Sequence, residues 1–402
     1  MRDLLSMEPL SEVRGYIPAF LLVCGLFFPT SIAGAISTPL LVAHYALLLC
    51  ALLFLVRLDS TFERRGLILS ISIIAILLVS TLMSALHDYH PGALIGYITF
   101  AAICCVPFRD LRVGGRLLLA VSLINIVLGA AMVIGVDWVN AWFMEHYSAY
   151  YPELLEFMTA LHKPVLMFAT HSLAAMAFYV LFWLCLETYR VRRQRMFLAC
   201  ALCYALLTLA LTSTSGLTLG VLMVGQLCWV AAKRGWAVAA AAAVAAVIAV
   251  AYVPWGDVWS IVEAVYGERG AGILGRYSGG GVLAGPFFYW LDHPFQPIGF
   301  TFMPTMNRIG DSGPFEYLLR GSVPLLLCMY AALYSFLRRN LLLKRDAYVF
   351  FCLLVVFEFG VTVVIRARML YLLVFAVIYL NSLRRDSVNS LHSPEPQPND
   401  LT

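Results

Sequence analysis

Charge is what this chain has least of: 12% of its residues are charged against 62% hydrophobic, and its mean hydropathy is +0.86. Soluble globular chains carry about a quarter charged residues, so a water-soluble domain is excluded. No P-loop is present, which argues against an ATP-driven pump within the chain. No GxGxxG follows a strand, and no HExxH or DxD occurs, so neither a nucleotide cofactor nor a metal site is suggested. The ten cysteines all fall inside or at the edge of apolar runs. Their closest pairs lack second ligand pairs or nearby histidines, which makes them small core side chains rather than zinc ligands or a disulfide framework. The N-terminal MRDLLSMEPLSEVRG carries both signs and no small-residue cleavage site, so the first span itself is expected to act as the insertion signal. Nothing points to a nucleic-acid partner.

What the chain does have is a succession of apolar runs, each near the roughly 20 residues needed to cross a hydrocarbon core of about 30 Å. They predict an all-α, polytopic helical membrane protein of about twelve transmembrane helices. The spans are Tyr16–Ile36, Leu40–Val56, Leu67–Leu86, Ala93–Pro107, Leu117–Val136, Leu166–Leu186, Met196–Thr212, Leu217–Ala232, Trp236–Val253, Phe315–Leu337, Ala347–Val364 and Met369–Ser382. Residues 1–15 precede them, a loop at 137–165 and a large loop at 254–314 interrupt them, and a Pro-rich polar tail at 384–402 is expected to be disordered.

Twelve spans put both termini on one side, and lysine and arginine tell which. Of the 27 Lys and Arg residues, 20 fall on the side of the termini, which is thereby predicted to be the cytoplasm. Lys163, Arg269, Arg276, Arg308, Arg320, Arg366 and Arg368 lie on the other side. Topology does not account for these seven. They either pair with outer-side acids or serve an anionic ligand on the outer face.

The outer loops carry further signals. Between Asp137 and Lys163, aromatics alternate with acids, and Leu154, Leu155, Met158 and Leu161 recur at helical spacing, as in an aromatic belt or an interfacial amphipathic helix. Trp259, Val262 and Tyr266 predict a second surface helix, and VLAGPFFYWLDHP a short one ending at Pro294. Gly279, Gly280 and Gly281 follow Arg276, where backbone N–H groups could approach a phosphate. Arginine strengthens that reading, because its planar fork binds phosphate oxygens in pairs and stays charged.

Within the spans, His171 beside Thr170 and Ser172 is either a satisfied core residue or a donor to a substrate oxygen. Thr212–Gly216 reads TSTSG, a tight turn of small hydroxyl residues that serves helix packing or presents hydroxyls and N–H groups to phosphate at the start of the next helix. Glu358 should face the bundle interior or a wet cavity, with Arg366 or another outer arginine as its expected partner, in a structural ion pair or a functional role. His44, Asn125 and Gln226 are expected to make interhelical hydrogen bonds.

Four pieces in order, KPVLMFATHSLAAMAFY, LTSTSGLTLGVLMV, GRY followed by WLDHPFQPIGF, and DSGPFEYLLRGSVPLLLCMY, resemble the Wzy-type O-antigen and exopolysaccharide polymerases and, more distantly, the O-antigen ligases. The resemblance covers most of residues 160 to 337. It implies a GT-C-like glycosyltransferase of the bacterial inner membrane that needs no metal. Its substrates would be undecaprenyl-diphosphate-linked oligosaccharides, its large loops periplasmic, and its further partners membrane lipid and a chain-length regulator or export complex. Arg276 matches the family arginine that precedes an HPxxGxGF-like segment, here HPFQPIGF, and Lys163 stands where many relatives have arginine before proline. Ligases place a histidine where this chain reads Gly310-Asp311, which favours a polymerase. The catalytic candidates are therefore Arg276, Asp311, His293 and Glu316, with Asp311 first as base. Lys163, His171, Arg308, Arg320 and Ser215 are the substrate-binding candidates. A ligase-type transfer and a lipid-linked glycan transporter are the competing readings; a transporter should show repeat symmetry between halves, and none is visible.

Overall fold

A computed structural model of the chain describes residues 19–55, 64–84, 86, 88–89, 92–108, 113–147, 152–233, 283–301 and 312–392. Outside them fall residues 1–15, the expected ninth span, the surface helix near Trp259, the glycine triplet, Arg269, Arg276, Arg308, Asp311 and the end of the tail. Residues 19–26 are helical, and a small antiparallel hairpin follows, β1 (Ser31–Ile32) with β2 (Ala35–Ile36). Then come α1 (Thr38–Leu55), α2 (Arg64–Met83), α3 (Gly92–Cys105), α4 (Gly115–Ile134), α5 (Asp137–Tyr147) and α6 (Pro152–Ala160). Next are α7 (His171–Arg192), α8 (Arg195–Ala210), α9 (Thr214–Ala232), the short α10 (Ala284–Asp292), α11 (Gly313–Asn340), α12 (Lys344–Glu358) and α13 (Ala367–His392).

Six of the described helices are long and apolar enough to cross a membrane: α2, α4, α7, α9, α11 and α13. They divide into a centre and a rim. The apolar stretches of α7 and α13 are each 89% buried, whereas that of α2 is 28% buried and that of α4 33%. On the rim, Ile68, Ile71, Leu78, Val79 and Leu82 of α2, Val127 of α4 and Val221 of α9 are exposed. Such faces match hydrocarbon rather than water, and a helix suits that solvent because it satisfies its own backbone groups. The chain is thus a helical membrane protein.

Side-chain bonds fix which ends of the helices lie together. At one end, Arg339 donates to Cys104 O and Val106 O, Asn340 Oδ1 accepts from Phe108 N, and Arg384 joins Asp346 and Glu187. Because arginines crowd there, it is called the basic end below. The opposite, loop end holds the starts of α7, α9, α11 and α13 with the finish of α2 and α12.

Several helices depart from the expected spans, each for a local reason. The first span ends as a helix at residue 26, since Pro29 lacks an N–H and disfavours helix in the residue before it. The hairpin that follows turns at Ala33 and Gly34, and Thr30 N and Gly34 N cap α5 by donating to His146 O and Glu145 O. The sixth span begins as helix only at His171; Leu166–Phe168 form a single 3₁₀ turn, and Thr170 caps α7 by accepting from Leu173 N. The last helix runs on to His392, past the expected start of the tail, with Arg384 tying it to α7 and α12. His44 reaches Gly25 O and Gln226 reaches Tyr179, as interhelical bonding predicts, but Asn125 turns back to Val121 O of its own helix.

Candidate functional site

The sequence DSGPFEYLLRGSVP builds a helix in two halves. Pro314 sits at its start, where a missing N–H costs nothing. Seven residues on, Gly321 (φ −150°, ψ 20°) and then Ser322 (φ 56°, ψ −163°) leave helical geometry, and Pro324 removes the N–H that would carry the ladder across. The break frees the carbonyls that end the first half. Ile298 N donates to Leu319 O at 3.0 Å and Gly299 N to Arg320 O at 2.9 Å, so the IGF of HPFQPIGF closes that open helix end.

Side chains lock the same joint. Arg320 donates through Nε to Glu316 Oε1 (3.1 Å) and through a terminal nitrogen to Gly299 O (2.7 Å). Glu316 Oε2 accepts from Thr362 Oγ1 at 2.8 Å, which brings in the turn after α12. Gly299 has φ +55°, and a Cβ there would stand 2.3 Å from Thr81 N, so only glycine lets the loop rest against α2. Phe300 N then donates to Thr81 Oγ1, and Thr301 shares a hydrogen bond with Ser84.

Glu358 forms the second knot. It is fully buried at the end of α12, and its Oε1 accepts from Tyr317 OH (2.8 Å), Val364 N (3.0 Å) and Val363 N (3.1 Å). The expected arginine partner is replaced by a phenol and two N–H groups, because α12 stops at Glu358 and the chain folds back over its carboxylate. A Cβ on Gly313 would come within 2.8 Å of that carboxyl, so the start of α11 lies directly on it.

On the far side of the start of α13, Arg368 holds three segments: it donates to Met167 O, Phe28 O and Thr30 Oγ1, with its guanidinium 4.8 Å from the centre of the Tyr147 ring. Burial pushes the Tyr147 phenol up to about 12, against the opposing pull of Arg368. Nearby, Ser172 Oγ and Ser215 Oγ approach to 3.3 Å, joining the N-termini of α7 and α9. Two helix starts side by side place partial positive charge at one spot.

The structure thus sorts five of the described site candidates into two groups and leaves His293 apart. Glu316 and Arg320, 5% and 6% exposed, lie in the joint of the broken helix. Their mutual pairing leaves them little face toward solvent, and their geometry is that of positioning residues. Lys163, His171 and Ser215 belong to the second group, with Lys163 opening the compact turn that leads to His171. His293 is exposed at the end of α10, its ring stacked 4.7 Å from Tyr289 and its Nδ1 3.2 Å from Tyr289 O. Burial pushes the Tyr289 phenol up from its ordinary value. Thr81, Thr362 and Tyr317 escaped the sequence reading: each sits in an apolar run with no local signal beyond one hydroxyl. Among the described residues, no group of three or more His, Cys, Asp and Glu is placed to hold a metal ion.

No protein-family model, curated protein or solved structure matches the chain.

Proposed function

We propose that this chain is a twelve-span polysaccharide polymerase. It would join undecaprenyl-diphosphate-linked oligosaccharide repeat units on the periplasmic face of the bacterial inner membrane, with both termini in the cytoplasm. One observation carries the reading: two of the four segments that carry the resemblance, HPFQPIGF and DSGPFEYLLRG, are bonded to one another at the break of α11. Arg276, which precedes the first segment in the chain, and Asp311, which opens the second, are the reacting candidates.

Transfer of a sugar from a diphosphate needs the leaving charge neutralised and the acceptor hydroxyl relieved of its proton as it attacks. Arg276, with Lys163 and Arg308, holds the diphosphate. The acceptor oxygen forms a bond to the anomeric carbon while the bond to the diphosphate breaks, and the proton passes to Asp311 or, behind it, His293. Glu316 and Arg320 keep the two segments in register, and the N-termini of α7 and α9, with His171 and Ser215, face the same anionic group.

A charge-assisted hydrogen bond is worth about 1.5–3 kcal/mol, so Arg276→Ala should slow transfer by roughly 10- to 150-fold. The test is purified protein in nanodiscs supplied with lipid-linked repeat units. A ladder of products is expected from the wild type and a collapsed one from Arg276→Ala and Asp311→Asn. Normal ladders from both variants at normal expression would overturn the assignment, and movement of the lipid-linked glycan across the membrane of protein-containing vesicles without new bonds would establish a carrier instead.

A further inference from the structure

We infer that α10 rests in the headgroup layer of the bilayer, with Phe288, Leu291 and Phe295 reaching into the upper acyl chains. The helix has two unlike faces. Inward, Ala284 and Pro286 are buried, Phe287 meets Phe315 of α11 with ring centres 6.1 Å apart, and Tyr289 and Trp290 pack with Leu86 around Ile298 and Leu319. Outward, Phe288 and Leu291 are each 49% exposed and Phe295 86%. Phe288 and Leu291 are spaced i, i+3 on the helix and share a face, its apolar edge, and Phe295 follows them exposed in the turn after it.

What covers that edge follows from its neighbours. The chain after α10 is bonded to Thr81 and Ser84, at the place where α2 ends. Just there α2 exposes Leu82 (87%) and Met83 (58%), the last residues of the strip that the rim helix turns toward lipid. The edge of α10 therefore continues the lipid-facing surface of α2 at its upper limit. Asp292, His293 and Gln296, all exposed at the end of α10, supply the polar groups that a headgroup region accepts. A bilayer is the occupant this continuity selects, and the placement stands whether or not the chain polymerises glycans.

The test uses the full-length protein in nanodiscs with two photoreactive phospholipids, one carrying a diazirine near the headgroup end of its acyl chain and one at the chain terminus. Adducts are mapped by mass spectrometry of proteolytic fragments. Residues 285–295 should be labelled several-fold more by the shallow probe than by the deep one, and Ile71 to Leu78 of α2 should show the reverse. Absence of adducts in 285–295 while Leu82 and Met83 are labelled would overturn the inference. So would labelling of 285–295 that falls as protein copies per disc increase, because a second copy would then be covering the edge.

Discussion

At the basic end Arg384 joins two acids from two other helices, and at the loop end Arg320 joins one acid and one backbone carbonyl. Both arginines staple elements together, yet what they staple differs. Arg384 fastens α7, α12 and α13 where all three are regular helix. Arg320 fastens a helix that has been broken to a loop that has been bent. Backbone conformation follows the same division among the described residues. Ala33, His162, Leu166, Ala169, Thr212 and Ser322 hold positive φ toward the loop end, while Arg193 is the non-glycine counterpart at the basic end. Residues held in sparsely populated regions persist only where their surroundings over-determine them, and such places cluster at working sites. Under the proposed function the basic end is the anchor and the loop end the part that meets the ligand.

The difference can be broken most forcefully at the two arginines. Arg320→Ala strands Glu316 as a buried carboxylate, which should cost about 3–5 kcal/mol and be visible as a lowered melting temperature in detergent. It should also lower polymer formation per folded molecule, because the loop that follows Arg276 loses its side-chain tie at Gly299 O and keeps only its backbone bonds to α11 and its bond to Thr81. Arg384→Ala should lower melting too, while the surviving folded protein keeps its product ladder. If both variants lost activity in proportion to folded protein, the two ends would be equivalent and the division false. The paired replacement E316L/R320M sharpens the point. Removing both charges should restore most of the stability and leave polymerisation impaired, since Gly299 O still lacks its donor.

Gly299→Ala comes next. A left-handed backbone costs an alanine about 1–2 kcal/mol, and the Cβ must also push the loop off Thr81 N. Stability should fall by that amount or more, and the backbone amides at 298–301 should lose protection from hydrogen exchange while those near Asn340 keep it. Uniform protection in both regions would count against the loop being held by this close approach. Tyr317→Phe is smaller. It takes one donor of three from Glu358 Oε1, worth about 1–3 kcal/mol in a buried site, and thermal unfolding of the variant checks it.

How much of this could be read from residues alone depends on what each signal reports. Apolar runs report solvent, so the helices appear where α2, α3, α4, α8 and α9 were expected, within a few residues. They say nothing of breaks that stay inside lipid. Gly321, Ser322 and Pro324 were all visible, but a run reading LLRGSVPLLL is as hydrophobic with a break as without one. Likewise α12 stops at Glu358 rather than Val364 because Val363 N and Val364 N turn back onto its carboxylate, a tertiary contact that composition does not encode. Glu316 and Arg320 were found as charges in an outer segment, the property sequence shows, and their burial against Thr362 and Gly299 is what it hides. Convergence was partly legible: His171 and Ser215 were both singled out for their hydroxyl-rich surroundings, though only packing of α7 on α9 sets Ser172 against Ser215.

That last contact supplies the smallest and most discriminating prediction. At the basic end Ser382 Oγ accepts from Val113 N at 2.7 Å, so Ser382→Ala strands a buried N–H and should cost about 1–3 kcal/mol of stability, read as a lowered melting temperature. Its product ladder and apparent KM for lipid-linked donor should stay as in the wild type. Ser215 lies at the start of α9 with its hydroxyl 3.3 Å from Ser172, a long neutral contact on a half-buried surface. Ser215→Ala should scarcely move the melting temperature. If the paired helix starts face the diphosphate, loss of one neutral hydrogen bond of about 0.5–1.5 kcal/mol should raise KM roughly 2- to 13-fold with kcat unchanged. Opposite signatures from two serine-to-alanine changes would separate anchor from site at the level of a single hydroxyl. Matching signatures would mean that Ser215 only packs α9 on α7.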